Sequence, residues 1–208
     1  YREVYNQAIG IKEVPGSTFK LASLMAALED KKVRISDKVN AKGSYSFYGK
    51  TMYDSNHGYG YGEITIQTAF EKSSNVFSEI IHKAYKNKPS QFIRRLKSFG
   101  LAEKLGIPIE GEAQPTLYEP SDPQWSGLSL PWMAVGYEFQ QTPLQTLAFY
   151  NAVANNGTFM KPQFVKEIYR GNEKVQEFKP EVMIDKVCSD LTVKDLQKCL
   201  KGVMTRGT

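Results

Sequence analysis

Long apolar runs are missing from this chain: nothing in it approaches 18 consecutive apolar residues, roughly the length a helix needs to cross a bilayer. The N-terminus also lacks the basic, apolar, small-residue order of a signal peptide. No membrane span is therefore expected within these residues, and any anchor is expected outside them. Cysteine is scarce. Cys188 and Cys199 fit neither a zinc-ligand spacing nor a Cys-x-x-Cys redox pair, so they read as structural residues, paired or free. Charge of one sign is nowhere gathered into a block: 27 Lys and Arg are interleaved with 22 Asp and Glu, for a net charge of +5. That pattern describes a solvated mixed-charge surface and argues against a nucleic-acid partner. No internal repeat is present.

What is present is a globular composition. With 208 residues and 41% hydrophobic content, the chain can bury one sizeable core. Residues 18–29 are good helix formers with Leu21, Leu24, Met25 and Leu28 at helical spacing, and Phe19, Ala22, Ala26 and Ala27 make the helix apolar nearly all round, so it belongs in the core. Residues 40–62 alternate glycines with tyrosines and phenylalanines, which predicts a hairpin with its turn at Gly49-Lys50, then a loop. Short helices are expected over 65–72 and 75–86, and a further one opens at Pro89 and stops at Gly100. Residues 105–131, rich in proline and glycine, predict a long ordered loop. Thr142-Pro143-Leu144-Gln145 is a capping box with proline at the first helical position, opening a helix closed by Gly157. Residues 165–169 and 174–178 form an expected hairpin around Gly171-Asn172, and 192–205 a final amphipathic helix.

Two short segments carry chemistry. Pro15-Gly16-Ser17-Thr18-Phe19-Lys20 places a serine at the start of the buried helix and a lysine three residues on, where side chains are neighbours. A serine hydroxyl is a poor nucleophile until a base activates it, and a lysine is a base only when burial depresses its pKa. The apolar helix supplies that burial, and the helix start offers amide donors to an oxyanion. The second segment, Ser73-Ser74-Asn75, adds a hydroxyl that can relay a proton and an amide that can orient Lys20 or a substrate carbonyl. His57 and His82 receive no catalytic role; for His57 a loop hydrogen-bonding role is expected.

In that order the two segments resemble the Ser-x-x-Lys and Ser-x-Asn motifs of the penicillin-binding proteins, and specifically a transpeptidase domain of the monofunctional class B, division or elongation type. Asp54, His57-Gly58, Gly111-Glu112, Thr142 to Gln145 and Ala154-Asn155-Asn156-Gly157 extend the likeness over essentially the whole chain. The resemblance implies Ser17 as nucleophile, Lys20 as general base, Ser73 as proton relay and Asn75 as orienter. It implies a peptidoglycan D,D-transpeptidase that acylates its serine with stem peptides ending in D-Ala-D-Ala, cross-links them, is trapped covalently by β-lactam antibiotics, and needs no metal or organic cofactor. It also implies a catalytic domain on the outer, periplasmic face of the cell inner membrane, with division or elongation complex proteins as partners.

The family's third motif, Lys-Thr-Gly or Lys-Ser-Gly, is absent from these residues, and only 16 residues precede Ser17. The expected fold is therefore a helix-dominated α+β fragment, the helical half of the penicillin-binding protein and serine β-lactamase-like fold, with most of the five-stranded sheet outside residues 1–208. Part of the surface that the sheet would cover is expected to be exposed or covered by a neighbour. In the family the missing strand supplies an oxyanion amide, and removing one such donor slows acylation on the order of 10²- to 10³-fold, so this segment alone is expected to be severely impaired. A serine β-lactamase or D,D-carboxypeptidase shares both motifs, although no separate Glu-x-x-Leu-Asn pattern is seen. A β-lactam sensor or a non-catalytic scaffold would keep the serine but process no peptide.

Overall fold

A computed structural model describes residues 6–207. In chain order its elements are α1 (Gln7–Gly10), a 3₁₀ turn (Gly16–Phe19), α2 (Lys20–Glu29), β1 (Lys38–Ala41), β2 (Ser44–Phe47), β3 (Lys50–Tyr53), β4 (Gly62–Thr65), α3 (Ile66–Glu71), α4 (Val76–Tyr85) and α5 (Pro89–Ser98). There follow β5 (Thr116–Leu117), α6 (Ser129–Met133), β6 (Phe139–Gln140), α7 (Pro143–Ala154), β7 (Phe159–Met160), β8 (Glu167–Arg170), β9 (Glu173–Glu177), β10 (Val182–Ile184) and α8 (Asp190–Arg206). Among the described residues the strands pair only as separate antiparallel ladders, β1 with β4, β2 with β3, β5 with β6, β7 with β10 and β8 with β9. This is the expected helix-dominated α+β arrangement.

Helix α2 is the centre of the core. Leu21, Leu24, Met25, Ala26 and Ala27 on it have no exposed surface, and each fully buried Leu or Met contributes about 1.5–3 kcal/mol. Because both ends of a buried helix need polar partners, its C-terminus is tied outward. Asp30 accepts from the Tyr85 hydroxyl (2.8 Å), Gln91 Nε2 (3.1 Å) and Arg95 Nε (2.7 Å), joining α2 to α4 and α5. The neighbouring Glu29 accepts from the backbone amide and the hydroxyl of Ser189 at the start of α8. Helix α7 forms the expected capping box: Thr142 Oγ1 accepts from Gln145 N (3.2 Å) and Gln145 Oε1 accepts from Thr142 N (2.8 Å).

Several expectations are corrected. The helix predicted from residue 18 begins as a 3₁₀ turn and becomes α-helical at Lys20. The first hairpin turns at Tyr48-Gly49, one residue before the predicted Gly49-Lys50, because Phe47 pairs with Lys50. Both turn residues take positive φ, 47° and 80°, the type I′ geometry that matches strand twist. The predicted loop at 105–131 contains β5 and the start of α6. Glu112 organises it by accepting from the amides of Leu105, Gly106 (3.0 Å) and Ile107 (3.3 Å). The second hairpin does turn at Gly171-Asn172, where Arg170 pairs with Glu173. Cys188 and Cys199 are both free and buried.

Candidate active site

The hexapeptide at 15–20 is shaped by its contact with the turn after α6. Gly16 takes φ 55° and donates its amide to Gly136 O (3.2 Å). A Cβ on Gly136 would lie 1.8 Å from Gly16 O, so only glycine lets the two backbones approach. One turn further along α2, Ser23 Oγ donates to Ala134 O (2.8 Å). On the other side, Tyr150 Oη of α7 donates to Thr18 O (2.9 Å). Held from both sides, the chain winds tightly, and in a 3₁₀ turn side chains three apart eclipse. Lys20 Nζ consequently lies 3.1 Å from Ser17 Oγ.

The second segment arrives at the end of α3. Ser74 N donates to Ala69 O and Ser73 N to Phe70 O, both at 2.9 Å, with Ser73 at φ 52°. This is a Schellman ending with serine in the left-handed position that glycine usually fills. The conformation aims both acceptors of Ser73 at the lysine: its carbonyl lies 2.6 Å and its Oγ 3.2 Å from Lys20 Nζ. Ser17, Lys20 and Ser73 are thus brought together as the sequence predicted. Asn75 is at the same junction, but its Nδ2 donates to Tyr53 O (2.8 Å), and it is not among the hydrogen-bond partners of Lys20. His57 makes no ring hydrogen bond among the described residues; its ring meets Tyr59 edge-on, which corrects the hydrogen-bonding role expected of it. His82 packs against Phe47 and Tyr48.

Exposure divides the work between the two ends of the hexapeptide. Ser17 is exposed while Lys20 is 1% exposed, so the hydroxyl faces solvent and the amine is desolvated behind it. Burial lowers the Lys20 pKa from 10.5 to about 8, with the charge of Asp54 pulling the other way. A neutral fraction of roughly a tenth at pH 7 follows, far above that of an exposed lysine. Ser17, Lys20 and Ser73 line a cleft of about 670 Å³ together with the apolar side chains of Leu147, Leu200, Val203 and Met204. Leu147 is 62% and Met204 86% exposed, so apolar surface stands open beside the site. Asp54, to which sequence reasoning gave no role, is 3% exposed and accepts from Ser74 Oγ (3.0 Å) and from the amide of Asn75. The signal that could have found it is a lone acid between glycines and tyrosines, which by itself reads as a turn residue.

An exposed hydroxyl, a desolvated amine and a second hydroxyl within one cleft suit acyl transfer, and the family model of the penicillin binding protein transpeptidase domain matches residues 2–208. The chain belongs to the penicillin-binding protein transpeptidase family. It is 30% identical over 207 residues to the penicillin-binding protein PbpB of Mycolicibacterium smegmatis, covering 99% of this chain and 31% of that protein. The D,D-transpeptidase domain of a peptidoglycan glycosyltransferase from Eggerthella lenta superposes with a TM-score of 0.87 at 25% identity, over 98% of this chain and 51% of that one. Penicillin-binding protein 3 of Mycobacterium tuberculosis, solved in complex with aztreonam, gives a TM-score of 0.81 at 26% identity, over 99% of this chain and 44% of that one. This penicillin-binding transpeptidase segment therefore spans about a third of the curated relative and about half of the solved chains.

Proposed function

We propose that Ser17 is the acylated nucleophile of a peptidoglycan D,D-transpeptidase, with Lys20 as its general base, Ser73 as proton relay and Asn75 orienting the substrate. The observation that carries this reading is the position of Lys20 Nζ, buried and within 3.1 Å of Ser17 Oγ and 3.2 Å of Ser73 Oγ. The neutral amine takes the Ser17 proton as Oγ attacks the penultimate D-Ala carbonyl of a stem peptide. The C–N bond to the terminal D-Ala breaks, and the proton held by Lys20 passes by way of Ser73 to the departing amine. An acceptor amine then attacks the ester, loses its proton to Lys20, and Ser17 leaves reprotonated as the cross-link closes. A β-lactam ring opens by the first half of the same sequence and stays on Ser17; the aztreonam complex of the Mycobacterium tuberculosis relative supports that reading.

The Lys-Thr-Gly motif is absent from residues 1–208, and we further infer that these residues by themselves are acylated on the order of 10²- to 10³-fold more slowly than a domain that carries that strand. The family likeness supports an extracytoplasmic setting with division or elongation complex proteins as partners; among the described residues no helix is long and apolar enough to cross a membrane. Labelling of the full-length protein with a fluorescent penicillin tests the assignment. One covalent label per chain, lost in Ser17→Ala with the melting transition kept, is the expected result; labelling of that variant at the parent rate would overturn it. Slow release of the label distinguishes transpeptidase from β-lactamase, for which turnover would be rapid.

A further inference from the structure

The loop after β3 places one buried acid behind the second motif, and nothing in the acyl-transfer steps above employs it. Asp54 is fixed from both ends of its own backbone: its amide donates to Gly43 O (2.8 Å) and its carbonyl accepts from Gly58 N (3.1 Å). Its carboxylate turns inward, with Oδ2 accepting from Ser74 Oγ (3.0 Å) and Oδ1 from the amide of Asn75. Ser74 Oγ in turn accepts from Val76 N (3.2 Å) and shares a hydrogen bond with Tyr45 Oη (3.3 Å). Two successive residues of the motif are thus held by one side chain, directly after the left-handed Ser73.

We propose that Asp54 is a positioning residue of this site, whose carboxylate holds the turn at 73–75 in the shape that presents Ser73 to Lys20, and whose negative charge favours the protonated lysine. The proposal rests on the reading of Ser17 and Lys20 as nucleophile and base. A buried carboxylate served only by neutral donors is poorly compensated, and a nearby cation is what such a group ordinarily requires. The other charged groups around it are engaged elsewhere. Lys42 lies over the Tyr45 ring and pairs with Glu79 of α4 (3.4 Å). Glu71 of α3, in the same cleft, is bound by Arg206 of α8 (2.6 Å). His57, on the loop of Asp54 itself, turns to Tyr59. Lys20 is the cation whose charge Asp54 supports, opposing the burial that lowers it.

Position and charge separate experimentally. Asp54→Asn keeps the shape and an acceptor but removes the charge. In the full-length protein its acylation rate with a fluorescent penicillin is expected to reach half-maximum at lower pH than the parent, because Lys20 loses the group that favours its protonated form. The plateau is expected to fall on the order of tenfold, because a weaker base takes the serine proton. Asp54→Glu keeps the charge and is expected to restore the midpoint while its longer arm leaves the plateau low. Unchanged midpoint and plateau in Asp54→Asn, with Ser17→Ala unlabelled, would overturn this proposal and leave the acyl-transfer reading standing. Labelling of Ser17→Ala would overturn that reading first. Should Asp54→Asn lose its melting transition, Ser74→Ala decides: a lowered plateau at the parent midpoint supports the positioning role, and a parent plateau refutes it.

Discussion

Helices α3 and α5 end in the same way and differ in one residue. At the end of α5, Gly100 N donates to Lys97 O (3.0 Å) and Leu101 N to Leu96 O (3.2 Å), with Gly100 at φ 80°. At the end of α3 the same pair of hydrogen bonds closes around Ser73, at φ 52°. Glycine adopts the left-handed region freely, whereas an L-residue there costs about 1–2 kcal/mol. The α5 ending follows the local rule and joins only core elements. The α3 ending breaks the rule and delivers a carbonyl and a hydroxyl to Lys20. Strain of this kind persists where the surroundings over-determine it, and Asp54 and Lys20 are those surroundings.

The largest expected break in the comparison comes from the amine that the α3 ending serves. Lys20→Ala is expected to abolish measurable acylation while leaving an apolar residue in an apolar helix, so that circular dichroism shows a retained fold. Next comes Ser73→Gly, which makes the two endings alike. Relief of about 1 kcal/mol of left-handed strain is offset by the 0.5–1 kcal/mol of extra backbone entropy that glycine loses on folding, so thermal stability should stay within about 1 kcal/mol of the parent. Acylation should nevertheless fall on the order of 10²-fold through loss of the relay hydroxyl. The reverse experiment is Gly100→Ala. Its Cβ would meet Ile184 Cδ1 at 3.0 Å in a left-handed conformation, so a loss of about 1 kcal/mol in denaturant unfolding is expected, with the acylation rate per folded molecule unchanged. Thr142→Ala removes a rule-abiding cap from α7 and should likewise cost about 1 kcal/mol without touching acylation.

The same contrast explains what the sequence made legible. Helices α5 and α7 were readable because proline, glycine and a capping box sit where isolated-helix physics wants them. The pairing of Ser17 with Lys20 was readable from spacing alone, and the 3₁₀ winding that tightens it to 3.1 Å came from a backbone contact with Gly136 that lies 120 residues along the chain. No local signal announces such a contact. The turn at Tyr48-Gly49 was missed by one residue because tyrosine rarely takes positive φ, and Asp54, named only as part of the family likeness, was given no role because its partners, Ser74 and Asn75, lie some 20 residues on in the chain. Ser73 was recognised by its neighbours, not by its backbone: nothing in Lys72-Ser73-Ser74 signals a left-handed residue.

The central claim is that a desolvated Lys20, one turn from Ser17, acts as the base. With its pKa held at about 8 by burial, the neutral fraction rises about tenfold for each pH unit up to that value and levels off above it. The most direct measurement is the acylation rate constant of the full-length protein with a fluorescent penicillin between pH 6 and about 10, read alongside near-ultraviolet circular dichroism. A rate that climbs to half-maximum near pH 8 and then plateaus while the fold is constant is the expected result. A rate independent of pH over that range would contradict it.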